Sequence, residues 1–116
     1  MVTGGGSDCY GTPCNNELVE FTRAQLSTSG SPTPAVTITS TGPGASGSLF
    51  GPYGVAVDQW GDVWVSNFNT PTTVEFGNYQ LHKSGSPTPL RTIAGPDTGM
   101  NWPSFVVTTP YFFRGF

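Results

Sequence analysis

The hexapeptide Ser29-Gly30-Ser31-Pro32-Thr33-Pro34 returns 55 positions later as Ser84-Gly85-Ser86-Pro87-Thr88-Pro89. The same spacing carries Val19-Glu20-Phe21 onto Val74-Glu75-Phe76, Gln25-Leu26 onto Gln80-Leu81, and Thr37-Ile38 onto Thr92-Ile93. Chance does not produce a six-residue identity with flanking matches in register, so the chain must contain copies of one supersecondary unit. A second set follows at a slightly shorter spacing: Pro52 with Pro103, and Val55-Ala56-Val57 with Phe105-Val106-Val107. The difference arises because the loop after Ile93 is shorter than the one after Ile38.

The stretch from Gly51 to Phe76 defines the unit. Val55 and Val57 alternate with small or polar residues, as do Val63 and Val65 around Trp64, which is the period of a strand. Asp58-Gln59-Trp60-Gly61-Asp62 between them is a tight hairpin. Asp58 can accept from backbone N–H groups two or three residues on, and Gly61 can take the left-handed conformation. A complete unit from about Pro52 to Gly95 has strands expected near 55–58, 62–66, 73–76 and 90–94. Four antiparallel strands recurring every ~40–50 residues are the signature of a β-propeller blade. The Ser-Gly-Ser-Pro-Thr-Pro segment joins the third strand to the fourth. Its prolines cannot donate to a ladder, which places it at a rim or edge. Such a segment can also be a Pro-rich ligand for another domain, but its repetition at one structural position favours a structural part.

The expected fold is therefore all-β, with antiparallel four-stranded propeller blades, about two per chain, incomplete at both ends. Residues 1–50 form a partial first blade and residues 51–98 a complete second. Residues 99–116 supply the first strand of a third blade and an aromatic tail (Tyr111, Phe112, Phe113, Phe116). Sixteen Gly and eleven Pro would ordinarily suggest disorder, but here they punctuate β-branched runs.

Charged residues make up 9% of the chain and the net charge is −3, with four Lys and Arg in all. Phosphate backbones need clustered cations, so nucleic acid is not an expected partner. No apolar run approaches the ~20 residues of a membrane span. The N-terminus lacks the basic region and apolar core of a secretory signal. Cys9 and Cys14 stand in a Gly/Pro/Asn-rich loop. With His82 the sole histidine and no third cysteine, half a zinc site is less expected than a local disulfide, which points to an extracellular or otherwise extracytoplasmic location.

Gly51-Pro52-Tyr53-Gly54-Val55-Ala56-Val57-Asp58, Gly61-Asp62-Val63-Trp64-Val65-Ser66-Asn67 and Thr73-Val74-Glu75-Phe76 together resemble the NHL-repeat β-propellers and the related bacterial lyase-like propellers. The middle unit matches throughout and its neighbours in part. Thr108 and Thr109 stand near where a strand-ending Asp is expected, the chain leaves the pattern from Pro110, and the Cys-containing loop replaces a short connection. The resemblance implies a ring of about six blades that binds partners on one face. It also implies, for the lyase-like branch, His and acidic residues spread over several blades, often with a metal.

Two blades cannot close a ring. Leu18–Thr22 and Ala35–Thr39 are the last two strands of the first blade, Met1-Val2-Thr3 is the stub of its second strand, and its first strand is missing. The C-terminal unit has a first strand, Ser104-Phe105-Val106-Val107, and then stops. These halves complement each other, so the chain is expected to be its own partner. The C-terminal strand of one copy would complete the first blade of the next, giving a ring or a filament. The other readings are a fragment of a longer lyase-like propeller enzyme and a glycan- or protein-binding propeller.

No catalytic residue, cofactor or metal is expected. Asp58 and Asp62 are too few for Ca²⁺, which takes six to eight oxygens, and turn stabilisation accounts for them. Glu20 and Glu75 are expected to be solvent-facing strand residues and His82 a surface residue. Trp60, Trp64 and Trp102 are the candidate binding residues, since exposed aromatics offer large contact area to sugars or proteins. Packing between blades competes as an explanation for Trp64 and Trp102 more than for Trp60, which belongs to a hairpin tip.

Overall fold

Alternating β-branched segments pair into two antiparallel sheets. The computed structural model describes residues 2–4 and 16–109, and these form an all-β fold with only short 3-10 turns between strands. The N-terminal sheet has order β1-β2-β3, from β1 (Val2–Gly4), β2 (Glu17–Glu20) and β3 (Val36–Thr39). The C-terminal sheet is a four-stranded meander of β4 (Pro52–Val57), β5 (Val63–Asn67), β6 (Thr72–Phe76) and β7 (Arg91–Ile93). β4 starts earlier than expected because Pro52 pairs with Asn67 across a bulge before Gly54. In the hairpin, Asp58 Oδ1 accepts from the backbone N–H of Trp60 and of Asp62, both at 3.0 Å, and Gly61 has φ 81°.

The repeat is structural as well as sequential. Ala35 N–H donates to Glu20 O at 2.8 Å, and Leu90 N–H to Glu75 O at 2.8 Å. Thr22 N–H donates to Gln25 Oε1 at 2.8 Å, and Gly77 N–H to Gln80 Oε1 at 2.9 Å. Gln25 Nε2 donates to Thr33 O at 2.6 Å, and Gln80 Nε2 to Thr88 O at 2.7 Å. Each Gln thus pins its own Ser-Gly-Ser-Pro-Thr-Pro loop against the turn that begins it.

The core lies between the sheets. Leu18, Val36 and Ile38 of the N-terminal sheet form one buried cluster with Val63, Val65, Val74 and Phe76 of the other, joined by Leu49 and Leu81 from the connections. Burying a side chain of this size contributes roughly 1.5–3 kcal/mol. Asn67, at the end of β5, is buried and satisfied by three neighbours. Its Oδ1 accepts from Phe50 N–H at 3.1 Å, and its Nδ2 donates to Ser48 O at 3.0 Å and to Thr72 Oγ1 at 2.9 Å. This amide latches the connection between the sheets onto the second sheet.

The second Ser-Gly-Ser-Pro segment lies on the free edge of β3. Thr39 N–H donates to Gly85 O at 2.8 Å, Gly85 N–H donates to Thr37 O at 3.1 Å, and Thr37 N–H donates to Ser84 Oγ at 2.9 Å. Ile38 and Gly85 form a parallel bridge. The edge placement expected of this segment is observed, and it spans from one sheet to the other.

The expected strand Ser104-Phe105-Val106-Val107 joins no ladder among the described residues. A strand needs a facing edge, and this segment instead crosses the outward side of β4. A Cβ on Gly54 would stand 2.5 Å from Ser104 O and 2.8 Å from Phe105 Cα, so only glycine permits the approach. Thr108 Oγ1 donates to Val57 O at 2.7 Å. The aromatic tail lies outside the described residues.

Candidate functional site

Among the described residues, each of the two stacked sheets has a face turned away from the other. Residues of β2 and β3 that face the C-terminal sheet have counterparts, 55 positions on, that face outward from β6 and β7: Thr73 for Leu18, Glu75 for Glu20, Arg91 for Val36 and Ile93 for Ile38. Ile38 has no exposed surface, whereas Ile93 is 44% exposed. At the opposite end, Val19 and Phe21 correspond to Val74 and Phe76. The first two are half-buried and the second two fully buried. One end thus repeats the outgoing side of the internal sheet–sheet contact, and the other end repeats its incoming side.

The connection leaving the second sheet repeats two features of the one leaving the first. Gly51, before Pro52, has φ 62°, and Trp102, before Pro103, has φ 52°. Trp102 is the sole non-glycine residue with positive φ among the described residues. A bulky side chain in this region costs of order 1–2 kcal/mol, so the chain path is being enforced by its surroundings. Leu49 fills the core beside the first sheet, and Met100, 51 positions later, approaches the second, with Thr73 Oγ1 3.5 Å from its Sδ.

Glu75 is not solvent-facing. It is 2% exposed and ion-paired with Arg91, its register partner on β7. Alternation does place Glu75 opposite Val74 and Phe76, on the outward face, but there its register partner Arg91 and the hairpin residues Asp58 and Asp62 crowd round it, and the buried carboxylate requires its cation. The hydrogen bond from the guanidinium to Glu75, and then the charge of that carboxylate, raise the Arg91 pKa above its ordinary value. Arg91→Ala is expected to lower the thermal unfolding midpoint, and adding Glu75→Gln is expected to recover much of the loss, because an amide tolerates burial without a cation. A circular dichroism melt reads both. An unchanged midpoint in Arg91→Ala would show that the pair contributes nothing.

Asp58, Asp62 and Glu75 bring carboxylate oxygens within 4.8 Å of one another. Four of their six oxygens have partners within the chain. Asp58 Oδ1 holds the hairpin, Asp58 Oδ2 accepts from Trp64 Nε1 at 3.1 Å, Asp62 Oδ1 accepts from Asn78 N–H at 2.7 Å, and Glu75 holds Arg91. The group therefore acts as a polar brace joining three strands. Sequence reading found the two aspartates at the turn but not their proximity to Glu75, which depends on pairing across β5 and β6.

The candidate tryptophans fall in three different settings. Trp60 is at the hairpin tip and 67% exposed. Trp64 faces away from the core between Val63 and Val65 and is tied by its indole to Asp58. Trp102 is 65% exposed and stacks on Phe68, with ring centroids 6.3 Å apart. Phe68 lies 5.7 Å from Tyr53, and Tyr53 makes an edge contact with Phe105 at 5.8 Å. This chain of four rings lies beside the C-terminal segment. Tyr53 and Phe68 carried no sequence signal of it, because the contacts join residues far apart in the chain.

His82 is exposed, as expected, and lines a shallow cavity of about 270 Å³ with Glu20, Phe21, Val57 and Asn78 at the seam of the two sheets. Cys9 and Cys14 lie outside the described residues. Among the described residues, no helix is long and apolar enough to cross a membrane.

No protein-family model, curated protein or solved structure matches the chain.

Proposed function

We propose that this protein is a non-enzymatic self-assembling module, whose copies join head to tail as successive pairs of propeller-like blades. The observation that carries this reading is the second connection. Met100 approaches the second sheet and Trp102 takes positive φ just before Pro103, as Leu49 lies in the core and Gly51 takes positive φ just before Pro52, which supports Ser104 to Val107 standing to another sheet as β4 stands to the second. Among the described residues, the N-terminal sheet begins at β1 and lacks such a strand. A strand added to a free sheet edge gains main-chain hydrogen bonds along its length.

The contact is heterologous, so it gives a ring if the rotation closes and a filament if it does not. It is also more polar than the contact inside the chain, since Thr73 and Arg91 stand where the internal interface has Leu18 and Val36. Reversible interfaces have this mixed character. Extracytoplasmic residence, suggested by Cys9 and Cys14, belongs to the same proposal.

Native mass by size-exclusion chromatography with light scattering, without reductant, tests the reading. A discrete mass of two or more times the 12.2 kDa chain, or a large pelletable species, supports it. A folded monomer at every concentration overturns it.

A further inference from the structure

Among the described residues, the loop Ser29-Gly30 holds no strand and β7 carries no loop on its outer edge. We infer that Ser29-Gly30 of one copy clasps the β7 edge of the preceding copy, the one whose Ser104 to Val107 it receives, as Ser84-Gly85 clasps β3 within the chain. This inference rests on the head-to-tail reading and names a second contact that the reading does not require.

Three observations converge on it. First, the internal clasp supplies a complete template. Gly85 donates to Thr37 O and accepts from Thr39 N–H, while Ser84 Oγ accepts from Thr37 N–H. Backbone groups on a strand edge need such partners, and in β3 the clasp provides them. Second, both halves of the template recur at the same spacing. Ser29 and Gly30 stand for Ser84 and Gly85, and Thr92 and Ile93 stand for Thr37 and Ile38. Third, the local frame that presents the loop recurs in atomic detail. The Gln25 bonds to Thr22 N–H and Thr33 O repeat those of Gln80 to Gly77 N–H and Thr88 O within 0.1 Å.

The free halves match this picture. Ser29 and Gly30 are exposed, a Cβ on Gly30 would meet nothing within 4 Å, and Arg91, Thr92 and Ile93 are all exposed. By equivalence, Gly30 N–H would donate to Thr92 O, Ala94 N–H to Gly30 O, and Thr92 N–H to Ser29 Oγ. One bond is not repeated. Thr39 Oγ1 lies 3.3 Å from Gly85 O, and Ala94 stands at the corresponding place without a hydroxyl. The occupant is thus a second copy of this chain, bound by main-chain pairing that differs from the internal clasp by that one side-chain contact.

Concentration-dependent sedimentation of the full chain, compared with Gly30→Ala, Gly30→Pro and Ser29→Ala, tests the clasp. Gly30→Ala keeps the N–H and enters open space, so association should match wild type. Gly30→Pro removes the donor and places ring carbons where Thr92 O must approach. About tenfold weaker association is expected, consistent with losing one good hydrogen bond and its geometry. Ser29→Ala should weaken association severalfold, and it decides the matter if the proline variant does not fold. Association by wild type with no change in Gly30→Pro or Ser29→Ala overturns the clasp and leaves head-to-tail assembly standing. A wild-type chain that stays monomeric overturns both.

Discussion

Deleting Ser104 to Phe116 should leave a folded chain that no longer self-associates. The deletion takes nothing from the buried cluster of Leu18, Val36, Ile38, Leu49, Val63, Val65, Val74, Phe76 and Leu81. It removes the segment that lies over Gly54, together with the Tyr53–Phe105 ring contact and the Thr108 hydrogen bond to Val57. In the proposed assembly the same segment is the missing first strand beside β1. A ladder against the three residues of β1 would supply about three hydrogen bonds at roughly 1 kcal/mol each, so its loss should weaken association about a hundredfold. Light scattering on the truncated chain reads the result. If the oligomeric mass persists, strand donation is wrong.

Phe76→Ala should remove a third or more of the stability of the fold. The ring is fully buried at the end of β6, among the side chains that join the two sheets. Truncations of this kind cost about 3–5 kcal/mol, against a total of about 5–15 kcal/mol for typical domains. Urea unfolding should show the midpoint falling by a third or more. The repeat supplies its own control. Phe21 is the same residue 55 positions earlier, but it sits at the open end and is only half-buried. Phe21→Ala should therefore cost about 1–2 kcal/mol in the isolated chain. Equal losses at the two positions would mean that the N-terminal sheet is packed as tightly as the C-terminal one.

Most of the sheet structure was legible because it is written locally. Alternation at Val55, Val57, Val63 and Val65, and the Asp58–Gly61 turn, are short-range signals, and the repeat copies them onto less regular neighbours. The errors came where a residue's setting depends on a distant partner. Glu75 alternates with Val74 and Phe76 and so looks solvent-facing, yet Arg91, sixteen residues on, pairs with it and makes its burial tolerable. Ser104 to Val107 has strand periodicity, and the edge expected to pair with it belongs to another copy. The clasp on β3 was readable in principle. Ser-Gly and Thr-Ile recur at one common spacing, and two surfaces that repeat together are candidates for touching each other.

Asn67 has a mechanical consequence. Its amide fastens the incoming connection at Ser48 and Phe50 to the second sheet. The position corresponding to Asn67 in the first sheet is Gly4, since Asn67 faces Thr72 and Gly4 faces Glu17, 55 positions before. Glycine has no side chain with which to fasten anything. In a head-to-tail assembly the joints therefore alternate, one stiffened by a buried amide and the next without it. Bending would concentrate at the junctions between copies, and each chain would move as a rigid link of two sheets.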